Sequence, residues 1–234
     1  MMMLNLKSPE TFIKQSSDNM EKVWFTSDLH WGHRNIVKFC PERQKEFGLD
    51  IDDTDMLQKH DEGLIRRWNM TVGKHDTVYI LGDFSFAPME DTKKILEKLH
   101  GKKHLILGNH DKSCKGLENY FESVSQIKEV WFKTHMYPFL EEHMHCVLCH
   151  FPLIAWNRRM RGSIHLHGHL HGSGDDLNKN SEELRVDVGF DSILGNCGLV
   201  SLEKLYYYMK NEVAKGQIFE DHVRELVEKT GFIA

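Results

Sequence analysis

The sequence predicts an α/β fold built as a single domain over residues 1–234. Three observations predict it. Short apolar runs rich in β-branched and aromatic residues recur along the chain, helix-like patterns separate the early runs, and several runs end on Asp, Asn or His. Runs this short suit buried strands, and strands alternating with helices indicate βαβ units. No linker, internal repeat or low-complexity tract divides the chain, hence one domain.

Taken in order, Val23–Thr26 (VWFT) is the first strand. Asp55–Asn69 follows as a helix, with Leu57, Leu64, Ile65 and Trp68 on one side. Thr77–Leu81 (TVYIL) is the next strand. Asp91–Leu99 starts on an acidic residue and stops before Gly101, both good helix boundaries. Lys102-Lys103 reads as a solvated turn before the strand His104–Leu107. Glu129–Phe151 reads as two adjacent strands, the second containing Cys146–Cys149. Ile164–Leu166 and Leu184–Val188 are the remaining strands, the polar stretch Gly172–Glu183 a mobile loop, and Gln217–Lys229 a closing helix.

Composition narrows the class. Lys+Arg total 30 and Asp+Glu 35, a net charge of −5 that argues against bulk electrostatic binding to nucleic acid. No apolar run of membrane-spanning length occurs. The first residues lack the basic start, apolar core and cleavage site of a signal peptide. Five scattered cysteines make a poor disulfide framework, so a reducing cytoplasm is the expected compartment. Histidine is abundant, at 16 residues against 13 phenylalanines, and it is the commonest metal ligand.

The residues at the end of each strand locate that surplus. After VWFT come Asp28 and His30; after TVYIL, Gly82-Asp83; after HLIL, Gly108-Asn109-His110-Asp111. His150 comes after CVLC, and His167-Gly168-His169-Leu170-His171 ends the next run. The carboxyl ends of parallel strands form one rim, so these residues can converge although far apart in sequence. Asp28/His30 and His169/His171 are i,i+2 pairs, which point to one side of an extended chain. Mixed carboxylate, imidazole and amide donors suit Mn, Fe or Zn rather than a structural zinc, in a number that fits two ions.

Asp28-x-His30, Gly82-Asp83, Gly108-Asn109-His110-Asp111, His150 and Gly168-His169-x-His171 resemble, in order, the five signature blocks of the calcineurin-like metallophosphoesterase superfamily. The fuller strings SDLHWGHRNI, LGDFSF and LHGHLHG are similar to those of small microbial and phage phosphoesterases. The resemblance implies a four-layer α/β/β/α sandwich with two mixed β-sheets and the site at their shared edge. It implies that Asp28, His30 and His171 hold one divalent ion, that Asn109, His150 and His169 hold a second, and that Asp83 bridges them. The ions expected are Mn, Fe, Zn or Ni, with Mn favoured in vitro. His110 would be the general acid, with Asp111 orienting its imidazole.

The reaction so implied is hydrolysis of a phosphomonoester or phosphodiester by a metal-bridging hydroxide. A nuclease or cyclic-nucleotide phosphodiesterase is the alternative within the fold. From another class, the alternative is a catalytically silent metal-dependent scaffold, which would have no need of His110. The partner expected is a phosphate ester, with nucleotides and nucleic acid as candidates and no membrane; the sequence does not reveal the oligomeric state.

Other patterns weigh less. The run His165-x-His167-x-His169-x-His171 resembles a metallo-β-lactamase ligand string but lacks its Asp-His ending, so His165 and His167 read as strand residues beneath the site. Cys146-x-x-Cys149 lies in an apolar run and reads as packing. Trp156, Arg158 and Arg159 lie between His150 and Gly168, where a basic loop could hold a substrate phosphate. His33 and Arg34 occupy the first βα loop and are further candidates for substrate contact, although residues 34–40 also read as the start of a helix. Phosphate-loop, nucleophile-elbow and dinucleotide-binding motifs are absent.

Overall fold

The computed structural model describes residues 21–179 and 184–211. The first half runs β1 (Val23–Thr26), α1 (Ile36–Phe39), α2 (Pro41–Phe47), α3 (Met56–Thr71), β2 (Thr77–Ile80), α4 (Met89–Lys98), β3 (Lys102–Ile106) and β4 (Ser123–Ser125). The second continues with β5 (Ile127–Phe132), β6 (Met144–Cys149), β7 (Ile164–His167), α5 (Asp175–Lys179), β8 (Arg185–Asp187) and β9 (Val200–Ser201), and residues 202–211 are helical. The architecture is mixed α/β with two mixed sheets.

One sheet has the order β4-β3-β2-β1-β9, parallel except for the antiparallel edge strand β9. The other has the order β5-β6-β7-β8, antiparallel between β5 and β6 and parallel thereafter. Alternation decides which side chains face where. Val23 and Phe25 of β1 and Tyr79 of β2 pack against Phe132, Cys146, Leu148, Leu166 and Val186, so the sheets lie face to face over a shared core. The opposite face of the first sheet presents Val78, Ile80 and Leu105 to Leu64, Trp68 and Val72 of α3 and to Ile95 and Leu96 of α4. Trp68 is fully buried there, and truncating it to alanine would cost about 3–5 kcal/mol.

Local signals explain the helices. Pro41 opens α2 at its first turn, and Gly48 ends it with a left-handed φ of 60° that favours glycine. α3 buries Met56, His60, Gly63, Leu64 and Trp68, with Leu57 and Ile65 only half-buried, so its inward face is rotated from the expected one. α4 begins at Met89 after Pro88, earlier than Asp91, with Glu90 and Asp91 favourably in its first turn.

Some expectations need correction. Lys102 and Lys103 lie inside β3, and Lys103 is buried with its Nζ donating to the carbonyls of Leu99 and Gly101, each at 2.9 Å. The stretch 172–183 is not one loop, because α5 occupies 175–179; residues 180–183 lie outside the described residues. So do the expected closing helix Gln217–Lys229 and the amino-terminal segment. β4 and β9, both short edge strands, carry no clear signal in the sequence. Among the described residues no helix is long and apolar enough to cross a membrane.

Candidate metal centre

Parallel pairing brings the carboxyl ends of β1, β2 and β3 to one edge and those of β6, β7 and β8 beside them. Backbone hydrogen bonds tie the segments that emerge: Asp28 N to Gly82 O (3.0 Å), Gly168 N to His150 O (3.0 Å) and Phe190 N, after β8, to Ser27 O (3.0 Å). The turns are tight. Asp28, His30, Asp83, His169 and His171 all have positive φ, between 49° and 72°. Non-glycine residues adopt this region at a cost, and such residues cluster where side chains must be aimed. A Cβ on Gly108 would lie 2.3 Å from Asp83 Oδ1, so only glycine lets the third loop approach the second.

Among the described residues, three groups of side chains could each hold a metal ion: Asp28, His30 and His171; Asp28, Asp83 and His150; and Cys40, His171 and Asp191, which shares His171 with the first. Asp83 Oδ2 lies 3.7 Å from His30 Nε2 and 3.6 Å from His150 Nε2, between the two imidazoles. His171 Nε2 and His30 Nε2 are each 3.8 Å from Asp28 Oδ1. These gaps exceed hydrogen-bonding range. Two ligands held ~2.1 Å from one ion sit about 3.0–3.4 Å apart, so small adjustments would close them around a cation.

Unsatisfied atoms fit the same picture. Asp28 Oδ1 and both ring nitrogens of His30 are buried without a hydrogen-bond partner, which is costly unless something else satisfies them. His150 donates its Nδ1–H to Leu81 O at 2.7 Å, which leaves Nε2 of a neutral ring as an acceptor. That nitrogen faces Asn109 Oδ1 at 3.1 Å and His169 Nδ1 at 3.2 Å. An acceptor set against an amide oxygen is repulsive alone and favourable around a shared cation. All seven expected ligands therefore meet at one edge, and their donor chemistry fits divalent ions.

A supporting shell of buried side chains holds them. Asp191 Oδ2 accepts from His171 Nδ1 at 2.8 Å, fixing the tautomer that turns Nε2 toward Asp28. Arg43, wholly buried, donates to Asp191 from Nε (2.7 Å) and NH2 (2.6 Å). Its remaining N–H groups reach Asp28 O, Leu29 O and His60 Nε2. Burial works against charge on Asp191, but Arg43 and His171 outweigh it and hold its carboxyl well below the usual range. Burial, reinforced by the charge of Asp28, pushes Asp187 up to about 7. Cys40 Sγ lies 3.7 Å from His171 Nδ1, and burial raises its pKa, which keeps it a thiol.

Among known proteins, the Gene 66 protein of Mycobacterium phage L5 is 31% identical over 210 residues, 80% of this chain and 93% of that protein. The Gene 66 protein of Mycobacterium phage D29 is 32% identical over 171 residues, covering 65% and 79%. Uncharacterized protein MJ1445 of Methanocaldococcus jannaschii is 34% identical over 176 residues, covering 73% and 83%. The chain belongs to the family of these proteins. No family model matches it. The crystal structure of the protein of unknown function AQ665 from Aquifex aeolicus superposes with a TM-score of 0.55 over 80% of this chain and 99% of that one; at 21% identity, the likeness is one of fold.

Outside the seven expected ligands, the sequence expectations fare unevenly. His110 is exposed beside the donors, its ring 6.2 Å from that of His30, and its N–H donates to Asp83 Oδ1 at 2.9 Å. Asp111 does not orient that imidazole. Its carboxylate accepts from the N–H groups of Gly108 (2.7 Å), Asp83 (3.0 Å) and Phe84 (2.8 Å), and so pins the third loop to the second. His33 stands near the donors, stacked on Phe86 at 4.3 Å.

Arg34 is committed elsewhere, to the carbonyls of Ile51 and Asp53. The basic loop also turns away. Arg158 lies over Trp131, whose strand partner is His145, about 16 Å along β6 from His150. Arg159 bonds Ile154 O and lies over Trp156, whose indole donates to Ser163 O. His165 and His167 are buried strand residues bonded to neighbouring carbonyls, and burial pushes His167 down to about 4. All five cysteines are buried free thiols.

Arg43, Asp191, Asp187 and Phe86 join the site without having been expected there. Phe86 is central: its ring meets those of His33, His110 (4.5 Å) and His30 (4.9 Å). The string LGDFSF, already singled out around Asp83, contained the signal for it.

Proposed function

We propose that the chain is a two-metal phosphoesterase of the calcineurin-like superfamily, with the four-layer α/β/β/α arrangement of that fold. The observation that carries the reading is Asp83, a buried carboxylate set between His30 and His150 at nearly equal distances, with the unpartnered atoms of Asp28 and His30 on one side and the His150 Nε2 acceptor against the Asn109 amide oxygen on the other. Asp28, His30 and His171 would hold one divalent ion, Asn109, His150 and His169 the other, and Asp83 both. Two such ions supply charge neutralisation at the phosphoryl oxygens and an acidified water. Manganese, iron, zinc and nickel all suit these ligands.

The chain's own contribution is positional and acid–base. The strained turns aim the donors, and Asp191, through Arg43, holds His171 in the tautomer a cation needs. His110 is exposed at the rim, fastened through its backbone to Asp83 and flanked by the ring of Phe86. From there its imidazolium can give a proton to a departing alkoxide. Such a residue has no use in a silent scaffold.

The test is hydrolysis of aryl and alkyl phosphate esters by the Mn²⁺-loaded protein. Replacing His110 by Ala should slow alkyl esters by about 10²–10⁴-fold and p-nitrophenyl esters far less, because p-nitrophenolate leaves without a proton. Equal slowing of both classes would remove His110 from the acid role. Two bound ions with no turnover on any ester would favour the scaffold.

A further inference from the structure

We infer that Cys40, His171 and Asp191 form a further cation site, one for a thiophilic divalent ion such as zinc or cadmium, which competes with the proposed two-ion centre for His171. The site stands on these three side chains; the competition rests on the two-ion reading. Cys40 lies between α1 and α2, His171 follows β7 and Asp191 follows β8, so three separate segments deliver the donors. Their sulfur, nitrogen and oxygen atoms fall within 4.8 Å of one another. Around one zinc ion, a thiolate sulfur and an imidazole nitrogen sit about 3.6 Å apart, and a nitrogen and a carboxylate oxygen about 3.4 Å apart. Cys40 Sγ is 3.7 Å from His171 Nδ1, and Asp191 Oδ2 is 2.8 Å from the same nitrogen. The sulfur is already in place, and the oxygen need only draw back as an ion replaces the proton between it and the ring.

Access and support are both present. All three residues line a groove of about 360 Å³ together with Glu42 and Ser173, which gives an ion its way in. Three protein ligands leave a position open, as in exchangeable rather than closed structural zinc sites. Asp191 Oδ1 is braced by Arg43 Nε at 2.7 Å, the kind of outer partner that ligating carboxylates keep. The exposed Glu42 offsets the guanidinium charge at the groove wall.

Softness separates this site from the proposed pair. The pair offers oxygen and nitrogen donors, which accept manganese, whereas thiolate selects softer ions. Among the candidate clusters of the described residues, only this one contains sulfur. Cys40 is a free thiol, and bonding to the cation breaks its S–H bond and releases the proton to solvent, with no change of oxidation state. His171 cannot serve both sites, because a neutral imidazole has one acceptor nitrogen. The first ion of the pair needs Nε2 bare and Nδ1–H on Asp191. An ion on Nδ1 leaves the ring proton on Nε2, facing Asp28 Oδ1 at 3.8 Å, and so removes His171 from the pair. An excess of thiophilic cation would thereby dismantle half of the manganese centre.

Titration of the full chain with Cd²⁺, followed by the sulfur-to-cadmium charge-transfer band in the ultraviolet, tests the site without recourse to turnover. The native chain should develop the band. Cys40→Ser and Cys40→Ala should lose it, and Cys197→Ser, which removes another buried free thiol, should keep it; melting curves check that the variants fold. Loading with Mn²⁺ beforehand should raise the Cd²⁺ concentration at half of the full band by about fivefold or more, the scale of coupled sites. No band in the native chain, or a band that survives in both Cys40 variants, overturns the inference. So does a band indifferent to Mn²⁺ while native mass spectrometry counts two bound Mn²⁺. A chain that shows the Cys40 band yet binds no Mn²⁺ upholds the thiolate site and brings down the two-ion reading instead.

Discussion

Arg43→Met separates the supporting shell from the donors themselves. The guanidinium is wholly buried and all five of its N–H groups have partners, two of them on Asp191. Methionine fills similar volume without charge and leaves Asp191 as a buried carboxylate that has lost its main counterion. Breaking one side of a buried pair costs about 3–5 kcal/mol. In a chain of this size each kcal/mol shifts Tm by about 2–4 °C, so calorimetry on the metal-free protein should show a fall of about 6–20 °C. Metal affinity should also fall, by about 10–100-fold, as for other partners that orient a ligating histidine. Arg43→Met/Asp191→Leu should recover most of the Tm, because neither charge then remains buried. It should not recover affinity, because His171 Nδ1 has lost its acceptor. The reasoning is refuted if Arg43→Met melts with the native protein and binds Mn²⁺ equally well, or if the double variant regains both properties together.

Other contacts give further outcomes. Phe86→Ala should mimic part of His110→Ala, slowing alkyl esters more than p-nitrophenyl esters, since Phe86 is the ring against His110; Phe86→Tyr should behave as native. Asp76 bears on pH. Burial raises its pKa, but hydrogen bonds from Trp24 Nε1 (2.8 Å) and the N–H groups of Gly73 (2.9 Å) and Lys22 (3.0 Å) outweigh it, so its folded pKa lies below 3.8. Its contribution is therefore fully present above pH 3.8 and is lost as pH falls through the lower folded value. Asp76→Asn should cost about 1.5–3 kcal/mol in urea unfolding between pH 5 and 8, with the gap to the native protein narrowing below pH 3.8; a gap that widens in acid would contradict this. Asp111→Asn, which weakens the clasp between the second and third loops, should lower kcat on aryl and alkyl esters alike, and a loss confined to alkyl esters would restore it as the partner of His110.

The strands that deliver the candidate ligands were legible because they are short, largely buried and punctuated by Gly82, Gly108 and Gly168, so apolar runs and the residues after them stand out. Arg43 was not. It lies in PERQKEF, a segment with the charge pattern of a solvated helix, and only the packing of α2 against the loop carrying Asp191 buries it. Adjacency in sequence misled twice. Asp111 comes directly after His110, yet the turn sends its carboxylate back to backbone N–H groups of the second loop. Trp156–Arg161 comes soon after His150, yet the chain doubles back along β5, where Asn157 bonds Glu129 and Arg158 covers Trp131. Lys103 looked solvated because its stem and ammonium found a pocket of carbonyls that no local pattern announces.

The central claim is a pair of ions sharing Asp83, and metal content per folded chain tests it most directly. Native mass spectrometry of the Mn²⁺-loaded protein should find two ions per chain, and Asp83→Asn should weaken both together because both groups lose the carboxylate between His30 and His150. A native chain that binds one ion or none, or an Asp83→Asn chain that keeps two with undiminished affinity, would contradict the account.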